Sequence, residues 1–391
     1  MPQAGAFSTS EPSQVTMEYV QEGVRTLHDF GDARPDAPTD STTVVVPMTE
    51  REHAGLAAER VLSALEAVAP ERVVVPLRAS EERVDPVVRW LSEFDLPLSV
   101  LWCDGPRLSE RLSAAGLDGT RGKGRDVWLA LGIASDSDYV VVHDADAKSY
   151  DEHHVPKLLF PLAHGAAFSK GYYARVENDR LYGRLFRLFY RPLVEALAAG
   201  DGDPVLEFLG SFRYALAGEF AATGRLARRL RIQRGWGLEV GTLGEAFRLV
   251  GASGSAQVDL GIHEHDHRSV SGPSGLSDMS EQVGDALLRA VEDNGYQPAY
   301  GTLESRYRAA AERLVDAYAL DSGFNGLEYD REDELSQIDA YADTVGRPGP
   351  DTRLPAWDEA ELSPASVAAA AVEDLADETG SETAAPAVRP T

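Results

Sequence analysis

The chain has 391 residues, and its 64 acidic against 37 basic side chains leave a formal charge of −27. An apolar content of 43% is enough for a sizeable core and excludes wholesale disorder. The charge excludes a nucleic-acid backbone as main partner, because its phosphates would be repelled.

The longest apolar runs, such as Val44-Val45-Val46 and Tyr139–Val142, fall far short of the roughly 18 residues that a membrane span needs. The N-terminus carries no basic region followed by an apolar stretch, so no secretory signal is expected. A single cysteine, Cys103, fits a reducing cytoplasm. Four lysines (Lys123, Lys148, Lys157 and Lys170) stand against 33 arginines. Excess acid with scarce lysine is the balance expected of a halophilic surface that stays hydrated in concentrated salt.

Residues 1–40 are rich in Ser, Pro, Asp and Gly and are expected to be partly disordered, with a short helix over 15–30. A β-branched run at 42–47 reads as a buried strand. A helix follows at 54–68, where Leu56, Ala57, Val61 and Leu65 share one face. Then come a strand at 72–76, a helix at 84–94, a strand at 98–103, a helix at 125–134 and a strand at 139–143. Strand–helix alternation with short connections predicts parallel βαβ units. Ligands in such sheets sit at the carboxyl ends of the strands. Beyond Asp146 the pattern predicts a strand at 167–173, a helix at 181–198 and a turn at 200–204. Helices at 219–230 and 239–250 precede a strand at 256–260, and two more helices span 277–294 and 303–319. From Arg347 the composition of Pro, Ala, Asp, Glu and Thr predicts a disordered acidic tail.

Several motifs carry chemistry. Asp144-Ala145-Asp146 follows a buried strand directly, so both carboxylates can face one ligand, and their hard oxygens suit Mg²⁺ or Mn²⁺. Asp136-Ser137-Asp138 has the same spacing but precedes the strand, away from the ligand end. Gly122-Lys123-Gly124 opens a helix, where glycines allow close approach and lysine offers a point charge for phosphate. It lacks the spacing of a P-loop. His263, His265 and His267 alternate, which in extended backbone puts them on one face as metal ligands; a polar loop and a zinc site are the alternatives. Arg180, Arg184, Arg187 and Arg191 form a cationic stripe with no acid between Asp179 and Glu195. Local pairing is therefore not expected, and an anionic small molecule is the favoured partner.

Taken in order from about Thr42 to Arg268, these segments resemble the glucosyl-3-phosphoglycerate synthases, retaining glycosyltransferases of the GT-A fold. Mannosyl-3-phosphoglycerate synthases are more distant relatives. The resemblance implies an α/β Rossmann-like nucleotide-sugar fold with a mostly parallel central sheet. It divides the chain into an extension (1–40), a nucleotide-sugar-binding βα domain (41–146), an acceptor-binding and metal-completing part (147–275), C-terminal helices (276–346) and the tail (347–391). The helices after Ser277 become candidates for a homodimer contact.

The resemblance also implies roles. Pro47, Met48, Thr49, Glu50, Glu52, Ser80, Lys123, Asp144 and Ala145 fall on the donor. Asp144, Asp146 and His265 fall on the metal, Mg²⁺ or Mn²⁺. Gly183, Arg184, Phe186, His263 and Arg268 fall on the acceptor, and Glu239, Lys123 and Leu216 on the catalytic centre, with Glu239 contacting the sugar. Phe186 replaces the family's threonine, and His263 its arginine. The implied activity is metal-dependent transfer of a hexosyl unit, glucosyl by the resemblance, from a nucleotide-diphosphate sugar to a small anionic acceptor such as 3-phosphoglycerate, on the way to a compatible solute or a glycolipid precursor. A nucleotidyltransferase and a non-catalytic nucleotide-sugar-binding protein of the same fold are the alternatives.

Overall fold

The computed structural model describes residues 23–28, 34–200, 202–264 and 273–379. Eleven strands lie among them: β1 (Arg25–Leu27), β2 (Thr42–Val45), β3 (Met48–Thr49), β4 (Arg72–Arg78), β5 (Leu98–Trp102), β6 (Tyr139–Val142), β7 (Phe168–Ala174), β8 (Val176–Glu177), β9 (Arg180–Leu181), β10 (Phe220–Thr223) and β11 (Ser255–Ile262). Nine of them form one sheet in the order β1-β11-β7-β10-β6-β2-β4-β3, with β5 also paired to β4; β8 and β9 form a separate ribbon.

The runs Thr42–Val45 and Tyr139–Val142 are apolar and β-branched because both faces of these central strands are covered; Val44, Val45, Val140, Val141 and Val142 are all fully buried. Parallel register sets Val45 beside Val142. The chain runs from β2 outward to β4 and β5, then returns to the other side of β2 as β6. That reversal opens a crevice at the carboxyl ends of β2 and β6.

The antiparallel strand β10 lies between β6 and β7. Its sequence, within the expected helix at 219–230, reads as helical because Glu, Phe and Ala all tolerate helix. Small Ala221 and Ala222 let it fit between two neighbours with both faces covered, and only the short helix Gly224–Ala227 follows. Because β10 runs opposite to β6 and β7, residues just before it arrive at their carboxyl ends. The expected helix at 181–198 is present over most of its length but starts later. The segment begins as β9, turns at Gly183, and continues as a π-helical turn Leu185–Tyr190 and a helix Arg191–Leu197.

Residues 25–27, inside the expected helix at 15–30, form a strand parallel to β11. Residues 1–22 and 29–33 lie outside the described residues.

The segment 347–379 is ordered, contrary to the tail expected from Arg347. Trp357 stacks on Trp128 with ring centroids 4.0 Å apart, and each indole N–H donates to a carbonyl across the contact. Helix Pro364–Thr379 then packs on helices Glu81–Leu91, Pro106–Ala114 and Lys123–Ala134. Buried Asp374 accepts from the backbone N–H groups of Arg107 and Leu108, at the start of Pro106–Ala114. Among the described residues no helix is long and apolar enough to cross a membrane.

Candidate active site

Strand ends and helix starts converge on one cleft of about 990 Å³. The loop after β2 and the start of β3 bring Pro47, Met48 and Thr49. The loop after β6 brings Asp144, Ala145 and Asp146 beside them, fixed by the His143 N–H donating to the Val45 carbonyl at 3.0 Å. The segment before β10 brings Leu216, and a Cβ on its neighbour Gly218 would collide with the Asp144 carboxylate. Glycine there lets this segment lie against the acid pair.

Lys123 stands at the start of helix Lys123–Ala134 and Glu239 at the start of helix Leu238–Val250. The glycines flanking Lys123 serve packing: a Cβ on Gly122 would come within 2.6 Å of the Arg234 carbonyl, and one on Gly124 would overlap that of Gln233. The Arg125 N–H donates to the Arg234 carbonyl at 3.2 Å. This close contact brings Glu239 to the lysine. The Lys123 Nζ lies 2.5 Å from Asp144 Oδ1 and 3.1 Å from Glu239 Oε1. Burial disfavours the ammonium, but the Asp144 and Glu239 carboxylates outweigh it and hold the pKa above that of an ordinary lysine.

Lys170, fully buried in β7, donates to the Ala217 carbonyl and so orients the segment that carries Leu216. Burial draws its pKa down to about 8 against the opposing pull of Glu239 and Glu219.

A second group of cleft residues comes from the chain after β7. Gly183 has φ +78°, a conformation natural to glycine, and a Cβ there would meet the Tyr214 hydroxyl at 3.1 Å. Arg184 lines the cleft, with its guanidinium engaged by Asp333 and by Glu334, the latter at 3.1 Å. Arg175 and Tyr214 also line it. The rings of Phe186, Tyr214, Tyr173 and His263 form a column, with centroid separations of 4.9, 5.1 and 4.0 Å along it.

No family model matches the chain. The glucosyl-3-phosphoglycerate synthase of Methanococcoides burtonii is 33% identical over 378 residues, which cover 88% of this chain and 94% of that protein. The chain belongs to the glucosyl-3-phosphoglycerate synthase family. It is by that membership a glycosyltransferase.

The synthase of Persephonella marina is 38% identical over 292 residues, covering 70% of this chain and 72% of that one. Among solved structures, the Mycobacterium tuberculosis synthase in complex with Mn²⁺, UDP-glucose and phosphoglyceric acid matches with a TM-score of 0.51 and 26% identity, over 69% of this chain and 88% of that one. Its complex with Mg²⁺ and UDP matches with a TM-score of 0.50.

Of the donor residues that the family resemblance implied, Pro47, Met48, Thr49, Glu52, Lys123, Asp144 and Ala145 line the cleft. The Glu52 carboxylate accepts from the Thr49 N–H at 2.6 Å and hydroxyl at 2.7 Å, which fixes the turn after β3. Glu50 and Ser80 are not in the lining. Ser80 donates its N–H and hydroxyl to the Glu50 carboxylate at 2.9 and 3.0 Å, tying β3 to the start of helix Glu81–Leu91, and these bonds lower the Glu50 pKa.

Asp146, Leu216, Glu239, Gly183 and Arg184 line the cleft as well. Phe186 and His263, expected at the acceptor, stand behind its wall: both are buried, and Tyr214 and Tyr173 between them face the cleft. His265 and Arg268 lie outside the described residues. The stripe expected to await an anion is paired instead: Arg180 with Glu328, Arg184 with Asp333 and Glu334, Arg187 with Glu334, and Arg191 with Glu195.

Sequence reading missed Arg175 and Tyr214. The available signal for Arg175 was its position just past a strand that ends at the ligand side; Tyr214 offered none, because β10 was read as a helix.

Asp144 and Asp146 offer hard oxygen donors on one wall of the cleft, which is the chemistry that Mg²⁺ or Mn²⁺ takes together with substrate phosphates. Among the described residues no group of three His, Cys, Asp or Glu forms a closed protein cage. Two carboxylates with an open remainder fit an ion that shares its shell with a diphosphate.

Proposed function

We propose that the chain is a retaining, metal-dependent glucosyltransferase that uses UDP-glucose as donor and 3-phosphoglycerate as acceptor. The observation that carries this reading is the charge pattern of one cleft. It gathers the Asp144/Asp146 pair, the Lys123 ammonium and the guanidinium-bearing segment of Gly183 and Arg184. In a protein of charge −27, a cleft lined by six basic side chains against five carboxylates is far less acidic than the chain as a whole, as an anionic substrate requires. The ligands held by the related structures support the same donor and acceptor.

Asp146 and Asp144, with His265, would hold Mg²⁺ or Mn²⁺. When bound, such an ion neutralises charge that develops on the leaving diphosphate. Lys123 adds positive charge on the same side, already oriented by Glu239. Glu239 and Leu216 contact the sugar, and Gly183 and Arg184 hold the acceptor, so its hydroxyl meets the anomeric carbon in a fixed orientation. The bond from that carbon to the diphosphate oxygen breaks, and a bond to the hydroxyl oxygen forms on the same face. The hydroxyl proton passes to the departing phosphate, releasing UDP. The free, buried Cys103 is in keeping with a cytoplasmic location. Exposed Leu320 and Phe324 on helix Tyr300–Asn325 are in keeping with a homodimer contact there.

The test is a panel of UDP- and GDP-sugars with and without 3-phosphoglycerate, followed by nucleotide release and the anomeric configuration of the product. UDP release that needs both UDP-glucose and 3-phosphoglycerate, with a retained α-linkage, is the expected result. With pyrophosphate added to the same panel, its consumption with formation of a nucleoside triphosphate and a hexose 1-phosphate would identify a nucleotidyltransferase, and silence throughout a binding protein.

A further inference from the structure

Five arginines line the cleft: Arg78, Arg121, Arg175, Arg180 and Arg184. Four are neutralised by carboxylates. Arg78 pairs with Asp126 at 3.0 Å, Arg121 with Asp104 at 3.2 Å, Arg180 with Glu328 at 2.5 Å, and Arg184 with Asp333 and Glu334. Arg175 differs. Among the described residues no carboxylate lies within ion-pair distance of it, and its buried Nε has no hydrogen-bond partner. Its contact with the cleft wall is to a neutral group, with Nη1 donating to the Tyr214 hydroxyl at 3.3 Å.

A half-buried guanidinium with no carboxylate in contact, and only Glu177 acting on it from a distance, is unfavourable, all the more conspicuous in a chain with so many acids available. Its planar fork matches a carboxylate or phosphate better than any other side chain does. The surroundings hold it in place. The Tyr214 ring is gripped between Tyr173 and Phe186, and Tyr173 is stacked in turn on His263 with its ring plane 12° away. The Tyr214 hydroxyl touches Gly183, whose neighbour is Arg184.

We propose that Arg175, with the Tyr214 hydroxyl beside it, is the principal anion-binding pair for the acceptor, gripping its phosphate or carboxylate next to Gly183. This assignment rests on the donor–acceptor reading above. It gives Phe186 and His263 a role as the outer rings of the column that fixes Tyr214, without contact to the acceptor. Arg184, already shared with two carboxylates, contributes less.

The experiment is steady-state kinetics of the full chain and of Arg175→Gln, Arg175→Lys and Tyr214→Phe, with UDP-glucose, Mg²⁺ and either 3-phosphoglycerate or glycerate. Arg175→Gln is expected to raise the KM for 3-phosphoglycerate by about tenfold or more, as for a lost charge-assisted hydrogen bond. The KM for UDP-glucose should stay within about twofold, which also reports that the fold is intact. Arg175→Lys should fall between, and Tyr214→Phe should raise the acceptor KM a few-fold. If the pair holds the phosphate, glycerate will be used equally by the wild type and Arg175→Gln; if it holds the carboxylate, Arg175→Gln will lose glycerate as well. Wild-type turnover with an unchanged acceptor KM in Arg175→Gln overturns the Arg175 assignment alone. No transfer by the wild type with this substrate pair overturns the donor–acceptor reading, and this assignment with it.

Discussion

The Lys123 ammonium lies 2.5 Å from the Asp144 carboxylate, joining the start of a helix to the loop after the central strand. The same Nζ reaches Glu239, 116 residues further on. One cation therefore holds together the loop after β6 and the start of helix Leu238–Val250, and it keeps two acids from repelling each other across the cleft. Replacing it acts on both structure and chemistry. Lys123→Met is expected to lower transfer by about 10²- to 10³-fold, as for removal of a charge aimed at a leaving group. It should also cost about 2 kcal/mol of stability by stranding two carboxylates. Lys123→Arg should recover more of the stability than of the rate. Thermal unfolding and kcat on the same preparations check this, and an undiminished kcat in Lys123→Met would remove Lys123 from the chemistry.

Asp144 and Asp146 are unequal by geometry. Asp144 is tied to Lys123 and packs against Gly218, whereas Asp146 stands beside it on the cleft wall. Asp146→Asn is therefore expected to abolish transfer, by more than about 100-fold, with little change in unfolding temperature. Asp144→Asn should cost stability as well, because it halves the anchoring of Lys123. Treatment with a chelator should silence the wild type, and Mg²⁺ or Mn²⁺ should restore it but not Asp146→Asn. Full activity in chelator would remove the metal from the mechanism.

The parallel half of the fold and the acid pair were legible because they depend on neighbours in sequence. Val44–Val46 and Tyr139–Val142 are apolar whichever partner they meet, and a D-x-D directly after such a strand has one place to go. Leu216 entered the site by resemblance alone, because its route depends on β10, a strand made of helix-tolerant residues and imposed by β6 and β7 on either side. Most of the arginine stripe's pairing was invisible for another reason, although Glu195, one turn after Arg191, lay within local reach. Glu334 lies 150 residues from Arg184, so no local search for acids finds it. The ordered C-terminal segment was hidden by composition: its many Ala, Asp and Glu residues mask Trp357, Leu362, Val367, Ala371 and Leu375, all of which are buried.

The two acids on Arg184 should separate cleanly. Glu334 is buried and accepts from both Arg184 and Arg187, with Arg187 bonded at 2.9 and 3.0 Å. Glu334→Ala leaves the buried Arg187 guanidinium without its anion and Arg184 with Asp333 alone, and is expected to cost about 3–5 kcal/mol. Asp333 is exposed, and loss of a pair of that kind costs about 0–1 kcal/mol. Asp333→Asn should leave stability almost unchanged while freeing the outer side of Arg184, which keeps Glu334, and so lower the KM for an anionic acceptor a few-fold. Unfolding curves and acceptor saturation curves for the two variants check this. Equal destabilisation by both substitutions would contradict the difference in burial.

Docking of the C-terminal segment should fail in acid, with its one tryptophan, Trp357, and its partner Trp128 as reporters. Arg353, in that segment, is nearly buried and pairs with Asp293 at 2.8 Å and Asp351 at 2.6 Å. Its hydrogen bond, opposed by burial, holds the Asp351 carboxyl down to about 2. Glu245, close by at 3.7 Å, is raised by burial but held below the ordinary glutamate value by Arg231 and Arg248. Carboxyls depressed in the folded state stabilise it fully above their unfolded values, near 3.8 and 4.5, and lose that contribution as the pH falls toward 2. The segment should therefore release between about pH 5 and pH 2, separating Trp357 from Trp128 and changing tryptophan emission. Arg353→Met should shift that release to higher pH. Trp357→Ala should remove the signal and cost about 3–5 kcal/mol, because Gly132 beneath the ring leaves a void that no side chain fills. An emission profile that stays flat down to pH 2 would show that these ion pairs do not hold the segment in place.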